Sequence, residues 1–273
     1  MKLVNHIERL IDDNQLVRVV IIGSGNVAEA YARTLADVPN VALMQIMARN
    51  AQRCEQVAEI GRCGWATDPQ QLAQADLYII SVSDRAVEGV ARSYNFPAEA
   101  IVVHTAGSVA IDAIPRPERR GILYPFQSFS AGRDITLKGV PLFVEADNEL
   151  VAQFLTMFAR RVTSRVEYAD SVRRAKIHLA GVFVNNFTNH LYGIATDIIA
   201  NEGLTFDLLR PIIAETASKA IASGNPFAVQ TGPAIRGDKA VTEKHIALLE
   251  GDAVKIQIYK DLTQSIWETS KKI

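Results

Sequence analysis

Three small residues at fixed spacing, Gly23, Gly25 and Ala28, form the most chemically informative pattern of the chain. They follow an apolar, β-branched run at 19–22 and precede a segment with helical periodicity. In such a G-x-G-x-x-A turn the first glycine permits a sharp turn, the second lets a pyrophosphate approach, and the alanine lets helix and strand pack closely. The free N–H groups and the positive helix end then face the phosphates. The sequence thus predicts a dinucleotide site formed by Gly23, Ser24, Gly25, Asn26 and Val27.

The end of the second predicted strand indicates which dinucleotide to expect. NAD-binding proteins usually carry an acidic residue there, about 20 residues beyond the glycines, to bind the ribose 2′-OH. Here Arg49 and Asn50 occupy that place, Arg53 follows one turn later, and the next carboxylate is Glu55. Since a guanidinium pairs with a 2′-phosphate, we expect NADP, held by Arg49 and Asn50. Two alternatives stay open: a solvated Arg49 without a preference for either cofactor, and a glycine-rich turn of another α/β protein.

Small and polar residues follow the fourth and fifth predicted strands. In open parallel sheets the carboxyl ends of the strands face the ligand crevice, so small side chains there leave room for ribose and nicotinamide. The expected wall consists of Ser81, Val82, Ser83, Thr105 and Ala106. His104 ends the fifth strand, and a histidine at a buried strand end is more often structural than catalytic.

A stripe of polar residues interrupts an apolar helical run that begins near 171. His178, Asn185 and Asn189 fall within about 20° of one another on a regular α-helix, and Asn186 lies one step round. A buried polar side chain needs a partner, which a ligand in a crevice between domains would supply. The alternative is a hydrogen-bond network between helices or across a dimer interface. Lys176 faces the other way and is not our candidate.

The segment TGPAIRGD at 231–238 is the second unusual run of the C-terminal half, and Pro233 and Gly237 predict a rigid loop there. Arg236 is placed to bind a substrate carboxylate through two parallel hydrogen bonds. The alternative is a local ion pair between Arg236 and Asp238. His245, in the following helical stretch, is a further candidate for the same site.

Composition limits the function classes. The chain has 273 residues, 48% of them hydrophobic and 22% charged, and a formal net charge of −1, so we expect neither a nucleic-acid nor a membrane partner. Cys54 and Cys63 are the only cysteines and lie in no metal-ligand pattern, so we expect no metal site. Acidic residues at 8, 12 and 13 argue against a signal peptide, and no apolar run reaches membrane-span length. We expect a cytoplasmic protein.

Alternating strand and helix patterns with short connections predict an α/β fold with a doubly wound, Rossmann-type parallel sheet, followed by an all-helical domain. We place the NADP-binding domain at 1–168 and a helical substrate and dimerisation domain at 169–273. Predicted strands lie at 18–22, 41–47, 65–67, 77–82, 100–104, 121–124 and 141–144. Predicted helices lie at 2–13, 26–36, 50–60, 84–94, 171–201, 206–223, 242–251 and 253–269.

Five segments together resemble a known family. They are GSGNVA at 23–28, HTAGS at 104–108, YPFQSFS at 124–130, HLAGVFVNNF at 178–187, and TGPAIRGD at 231–238 with His245. The chain resembles bacterial two-domain NADP oxidoreductases whose helical C-terminal domain has no assigned function. That family is related to ketopantoate reductase, pyrroline-5-carboxylate reductase and the deazaflavin-dependent NADP reductases. The resemblance implies NADP binding, reductase activity and, by analogy with related helical domains, a homodimer formed through the long helices.

Two positions depart from the family pattern. The motif before Pro125 begins with histidine in the family, whereas Tyr124 stands here, so a proton-transfer role is weakened although a phenol can donate a hydrogen bond. The relatives' catalytic lysine, followed four residues later by asparagine, is not reproduced in this helix.

The sequence therefore predicts an NADPH-dependent reductase of a small carbonyl or imine that bears a carboxylate, such as a 2-keto acid. His178 is the candidate acid because histidine exchanges protons near neutral pH. Asn185 and Asn186 are expected to orient the substrate, and Arg236 to bind its carboxylate. The alternative is an NADP-binding sensor or assembly protein without turnover, which the missing lysine favours. A purely structural dimer would require that NADP does not bind.

Overall fold

The structure is a computed structural model that describes residues 2–11 and 14–272. Within these residues eight strands form one sheet in the order β3-β2-β1-β4-β5-β6-β7-β8. Their bounds are β1 Val17–Ile22, β2 Val41–Met47, β3 Gly64–Ala66, β4 Leu77–Ile80, β5 Ile101–His104, β6 Arg120–Pro125, β7 Leu142–Ala146 and β8 Val166–Tyr168. The strand order reverses direction at β1 and β4, which is the place where doubly wound sheets bind their ligands.

The sheet is mostly, not entirely, parallel. Strands β1 to β6 run the same way, but β7 is antiparallel to β6, and β8 is parallel to β7. The predicted parallel sheet therefore contains one antiparallel pair, β6 with β7, at this edge. A parallel neighbour needs a crossover, usually a helix, and the described segment between β6 and β7 contains no helix.

Helices cover both faces of the sheet. The helices before β8 are α1 Lys2–Leu10, α2 Asn26–Leu35, α3 Ala51–Gly61, α4 Val87–Ser93 and α5 Glu149–Val162. Strand β1 alternates between two hydrophobic cores: Val19 and Ile21 pack in the core that includes α2, α3 and α5, while Val20 and Ile22 pack in the core on the α4 side. The predicted doubly wound architecture is thus confirmed.

Two elements of this region were not predicted. Helix α5 begins at the Asn148 cap, whose side chain accepts from the Val151 amide at 3.0 Å, and its buried residues recur at helical spacing. Strand β8 is three residues long, too short for periodicity to reveal. The predicted helix at 2–13 is observed over Lys2–Leu10, and the positions 12 and 13 lie outside the described residues.

The C-terminal half is helical, as predicted, with α6 Ser171–Gly181, α7 Thr188–Ala200, α8 Arg210–Ala222, α9 Pro233–Arg236, α10 Lys239–Leu248 and α11 Ala253–Ser270. The single helix predicted over 171–201 is wrong in one respect, because a π-helical segment, Val182–Phe187, separates α6 from α7. The rigid loop predicted at Pro233 contains the short helix α9. Proline suits the first turn of a helix, where its missing N–H leaves no hydrogen bond unmade.

Contacts divide the chain into two compact units, Met1–Asn186 and Phe187–Ile273. The first unit contains the sheet, α6 and most of the π-helical segment. The division falls later than the predicted boundary at 168/169, which marks the change from strands to helices. Among the described residues, no helix combines the length and hydropathy needed to span a membrane.

Candidate active site

The turn between β1 and α2 has the geometry that a dinucleotide requires. Gly23 has a φ of 128°, and a Cβ there would lie 1.9 Å from the carbonyl oxygen of Ser81 on the neighbouring strand. A side chain at this position is therefore excluded by both conformation and space. Gly25 is different, since a Cβ there would meet no protein atom within 4 Å. Ala28 is fully buried against the sheet, as its predicted packing role requires.

The first turn of α2 is open to an anion. Gly25 precedes the helix in an extended conformation, and no side chain caps the helix at this residue. The space in front of Gly25 and the helix N-terminus together fit a pyrophosphate. The Asn26 side chain donates to the carbonyl oxygen of Phe129 at 3.0 Å, which ties the β6–β7 segment to this turn. Val27 is partly buried against the core.

Two arginines stand near the end of β2 in different environments. Arg49 is exposed, and no ion pair to its side chain occurs within residues 2–11 and 14–272. Arg53 donates through Nε to the Ser24 carbonyl oxygen at 3.1 Å and pairs with Glu29 on α2. The Asn50 side chain caps α3 by accepting from the Arg53 amide at 2.9 Å. Arg53 therefore braces the glycine turn, while Arg49 is available to a ligand.

The predicted wall lies at the carboxyl ends of β4 and β5, as the topology requires. Ser81 and Thr105 are buried, and the Thr105 hydroxyl donates to Ser81 Oγ at 3.3 Å. Val82 borders Gly23, Ala106 is buried, and Ser83 is exposed.

A cavity of about 320 Å³ lies within the first unit, beside the end of β6. Residues from β6, the segment after it, α6 and the π-helical segment line it: Tyr124, Phe126, Gln127, Ser128, His178, Gly181, Val182, Val184, Asn185 and Asn186. None of these lining side chains is a carboxylate, a lysine or an arginine. The structure thus brings His178, Asn185 and Asn186 together, as predicted, and adds Tyr124.

Tyr124 and His178 form a pair that sequence reasoning did not anticipate. The Tyr124 hydroxyl lies 3.3 Å from His178 Nδ1, and the rings meet edge to face with centroids 6.2 Å apart. Burial, reinforced by the Asp84 carboxylate, raises the pKa of Tyr124 to about 12. The phenol therefore stays protonated at neutral pH. A hydroxyl can donate to a neutral imidazole or accept from a protonated one, so the pair accommodates both states of the histidine.

Gly107 lies next to both rings of the Tyr124–His178 pair. A Cβ at this position would lie 2.7 Å from His178 Nδ1 and 2.8 Å from Tyr124 Cζ. The absence of a side chain at 107 is thus a condition for the close approach of both rings. In the sequence, the glycine of the HTAGS segment at 104–108 is the feature that could have indicated this close approach.

His104 has a structural environment, in agreement with the interpretation that we favoured. The ring is fully buried; Nε2 lies 3.2 Å from the Ala110 carbonyl oxygen, and the Ala106 amide donates to Nδ1 at 3.2 Å. Burial lowers the pKa of His104 to about 4, so the ring is neutral at physiological pH. Both nitrogens are committed to the backbone, which leaves none for a substrate.

The polar stripe that we predict from regular α-helical spacing does not extend to Asn189. A π-helical turn carries more residues than an α-helical turn, so the wheel of 100° per residue does not hold across Val182–Phe187. His178, Asn185 and Asn186 line the cavity, and Asn189 is not among its residues. π-Helical turns occur frequently at functional sites.

Arg236 and His245 belong to the second unit. Arg236 is exposed and forms no ion pair with Asp238 in this structure; the Asp238 side chain caps α10 by accepting from the Val241 amide at 3.2 Å. His245 Nδ1 lies 2.8 Å from the Tyr259 hydroxyl.

Comparison with protein families gives two matches, each covering one part of the chain. Residues 18–107 match NADP oxidoreductase coenzyme F420-dependent, and residues 140–266 match a domain of unknown function. A crystal structure from Bacteroides fragilis, of a protein assigned as an NADP oxidoreductase, has 34% sequence identity and a TM-score of 0.82. That similarity covers 93% of this chain and 98% of the other. The chain belongs to this NADP oxidoreductase family.

More distant structures share the fold of this family. Pyrroline-5-carboxylate reductase from Streptococcus pyogenes is 13% identical with a TM-score of 0.61, over 94% of this chain and 99% of that chain. An imine reductase from Myxococcus stipitatus, solved with NADP+, is 12% identical with a TM-score of 0.56, over 93% of each chain. No curated protein matches the chain.

The family identifies NADP(H) as the cofactor, and the glycine turn fits it. Across the described residues, no cluster of three or more His, Cys, Asp or Glu side chains suits a metal ion.

Proposed function

We propose that this NADP oxidoreductase is an NADPH-dependent reductase of a small carbonyl or imine substrate that carries a carboxylate. The observation that supports this most strongly is the cavity in which the Tyr124–His178 pair stands beside two amide side chains, Asn185 and Asn186. Reduction of a carbonyl or imine requires a proton donor and fixed dipoles where negative charge develops.

The cofactor is proposed to lie along the carboxyl edge of the sheet. Amides at the start of α2 would bind its pyrophosphate, and the exposed Arg49 guanidinium would bind its 2′-phosphate. The wall at Ser81–Ser83, Thr105 and Ala106 would face the ribose and nicotinamide. When bound, NADPH supplies the hydride that the substrate carbon receives.

His178 is proposed as the acid, with Tyr124 as its partner. A protonated His178 donates through Nδ1 to the Tyr124 hydroxyl oxygen, which leaves the Nε2 proton for the substrate oxygen or nitrogen. After transfer the neutral ring keeps its Nδ1 proton and the same hydrogen bond. Tyr124 therefore holds the ring in one orientation without having to ionise, which its raised pKa opposes.

The remaining roles concern the substrate. Asn185 and Asn186 are proposed to orient it, since amides both donate and accept hydrogen bonds. The cavity lining contains no positively charged arginine or lysine, so it does not itself supply a partner for a carboxylate. Arg236 remains our proposal for that role, because its side chain is exposed and forms no ion pair with Asp238.

We further propose a homodimer formed through the helical unit and a cytoplasmic location. Large apolar side chains of this unit are strongly exposed in the single chain, among them Ile221 at 85% and Leu248 at 83%. Extensive apolar exposure marks an interaction surface, for which a second copy is the proposed occupant. Sedimentation equilibrium tests this directly, and a monomer at micromolar concentration contradicts it. The free thiols Cys54 and Cys63 suit a reducing compartment.

NADPH oxidation across a panel of 2-keto acids and cyclic imines tests the activity. We expect turnover with at least one compound, and His178→Gln to lower kcat by about 10²-fold or more while NADPH affinity stays unchanged. Tyr124→Phe should lower kcat by about tenfold, equivalent to one hydrogen bond. His190→Gln, the same change at an exposed histidine of α7, is the control.

The result also separates the alternative function. NADPH binding without turnover of any compound favours the sensor or assembly protein, which the missing lysine motif supports. Full activity of His178→Gln contradicts the assignment of the acid while leaving the reductase in place.

A further inference from the structure

A buried ion pair lies beside the cavity but does not line it. Arg174 on α6 is fully buried and pairs through Nη1 with Glu145 on β7, which is also buried. Arg174 Nη2 donates to the Val109 carbonyl oxygen, and it lies 3.3 Å from Ser171 Oγ. The roles proposed above for cofactor and substrate do not include this pair.

The ion pair belongs to a cluster that joins three segments. The Ser171 hydroxyl lies 3.0 Å from both carboxylate oxygens of Glu145, and it accepts from the Ile111 amide at 3.2 Å. Strand β7, the segment after β5 and helix α6 therefore meet in one hydrogen-bonded unit. We call Ser171, Arg174 and Glu145 the clamp.

The segment that the clamp holds is the one that carries Gly107. The clamp binds it at Val109 and Ile111, and the His104 ring binds it at the Ala106 amide and the Ala110 carbonyl. Four backbone positions around Gly107 are thus fixed from two sides. Gly107 in turn contacts both rings of the Tyr124–His178 pair.

The charged residues of the clamp also lie close to Tyr124 and His178 along α6 and along the β6–β7 ladder. His178 follows Arg174 by four residues on α6, so both lie on the same face of that helix. Glu145 is opposite Ile122 in the β6–β7 ladder, and Tyr124 is opposite Phe143, the next pair on the same face. Movement of the clamp would therefore move both rings and the glycine between them.

A buried ion pair is a weak source of stability, because desolvation of both charges opposes their attraction, and apolar replacement is often neutral or stabilising. The contacts of this pair with Val109 and, through Ser171, with Ile111 point instead to a geometric role. We propose that Arg174 and Glu145 are positioning residues that set the separation of Tyr124, His178 and Gly107. This inference rests on the proposed function for its effect on turnover, but its effect on the His178 ring does not depend on it.

The double variant Arg174→Met/Glu145→Met tests the proposal, because it removes both charges and leaves neither buried alone. We expect it to fold, to bind NADPH within twofold of the wild type, and to lose at least about tenfold in kcat with a smaller change in KM. The NMR signal of the His178 ring, assigned by its loss in His178→Gln, should shift.

Arg120→Met/Asp147→Met is the matched control. It removes a partly buried ion pair, Arg120 Nε to Asp147 Oδ2 at 2.7 Å, which joins β6 to the residue after β7 and includes no residue of the clamp. This control should leave kcat and the His178 signal unchanged. An unchanged kcat and His178 signal in the clamp double variant, or an equal effect of the control, overturns the proposal.

Ser171→Ala keeps the proposal testable if the double variant does not fold. It deletes the hydroxyl that joins Glu145 to the Ile111 amide, and it should shift the His178 signal in the same direction with a smaller loss of kcat; an unshifted signal overturns the proposal. If the wild type reduces no compound, the proposed function fails. The shift of the His178 NMR signal then tests by itself whether the clamp positions the ring.

Discussion

Gly107→Ala perturbs the proposed site with a single methyl group. The added carbon would lie 2.7 Å from His178 Nδ1 and 2.8 Å from Tyr124 Cζ. Non-bonded heavy atoms of this kind settle at about 3.5–4.0 Å, so each ring must retreat by roughly 1 Å. The Tyr124 hydroxyl oxygen already lies 3.3 Å from His178 Nδ1. An increase of a few tenths of an ångström in this distance removes the hydrogen bond.

The expected cost has two parts. Overpacking of this kind destabilises a fold by about 1–3 kcal/mol, which a chain of this size tolerates. A displacement of about 1 Å at the reacting groups costs roughly 10²-fold in turnover. NADPH affinity should change by less than about twofold, because the glycine turn at Gly23 is untouched.

Three measurements separate these effects: denaturant unfolding, NADPH binding by fluorescence, and kcat on a compound from the panel. Gly89→Ala is the control, since Gly89 is helical and a Cβ there meets nothing within 4 Å. We expect the control to keep full activity and to gain slightly in stability. Wild-type kcat in Gly107→Ala would refute the reasoning that the close approach of Tyr124 and His178 matters.

Further predictions concern the cofactor turn and the pH dependence of stability. Gly23→Ala should destabilise the fold by at least about 3 kcal/mol in urea unfolding, whereas Gly25→Ala should unfold like the wild type and lose on the order of tenfold in NADPH affinity. Arg49→Glu should weaken NADPH binding by about 10- to 100-fold and NADH binding far less, and Arg9→Glu serves as a charge-matched control. Burial lowers the pKa of His104 to about 4 in the folded protein, against 6.5 for an unperturbed histidine. At pH values between about 4 and 6.5, His104 therefore takes up a proton when the protein unfolds. Wild-type stability should therefore fall by up to about 3 kcal/mol as the pH drops through this window, and His104→Gln should lose less; equal losses contradict the assignment.

Local patterns predicted the nucleotide-binding part of the fold. The β1–turn–α2 unit is encoded within twenty residues, because the buried strand, the two glycines and the helix all follow from their own sequence. The antiparallel β7 was not predictable in the same way, since strand direction depends on the connection and on neighbours far along the chain. The π-helical segment also escaped detection, because its residues follow an ordinary helical pattern.

The site was predictable only where its residues lie close together in sequence. His178, Asn185 and Asn186 were identified from one helical run, and all three line the cavity. Tyr124 lies 54 residues from His178, and no periodicity links the two. Arg174 offered no signal at all, since a charged residue on a helix is ordinarily expected at the surface.

A crystal structure of the NADP+ complex tests the central claim most directly, namely that the cavity at Tyr124 and His178 is where the substrate is reduced. We predict the pyrophosphate at the start of α2, the 2′-phosphate on Arg49, and nicotinamide C4 directed into the cavity within reach of a substrate that contacts His178. A nicotinamide ring directed away from this cavity, with the Tyr124–His178 pair remote from C4, would contradict the account.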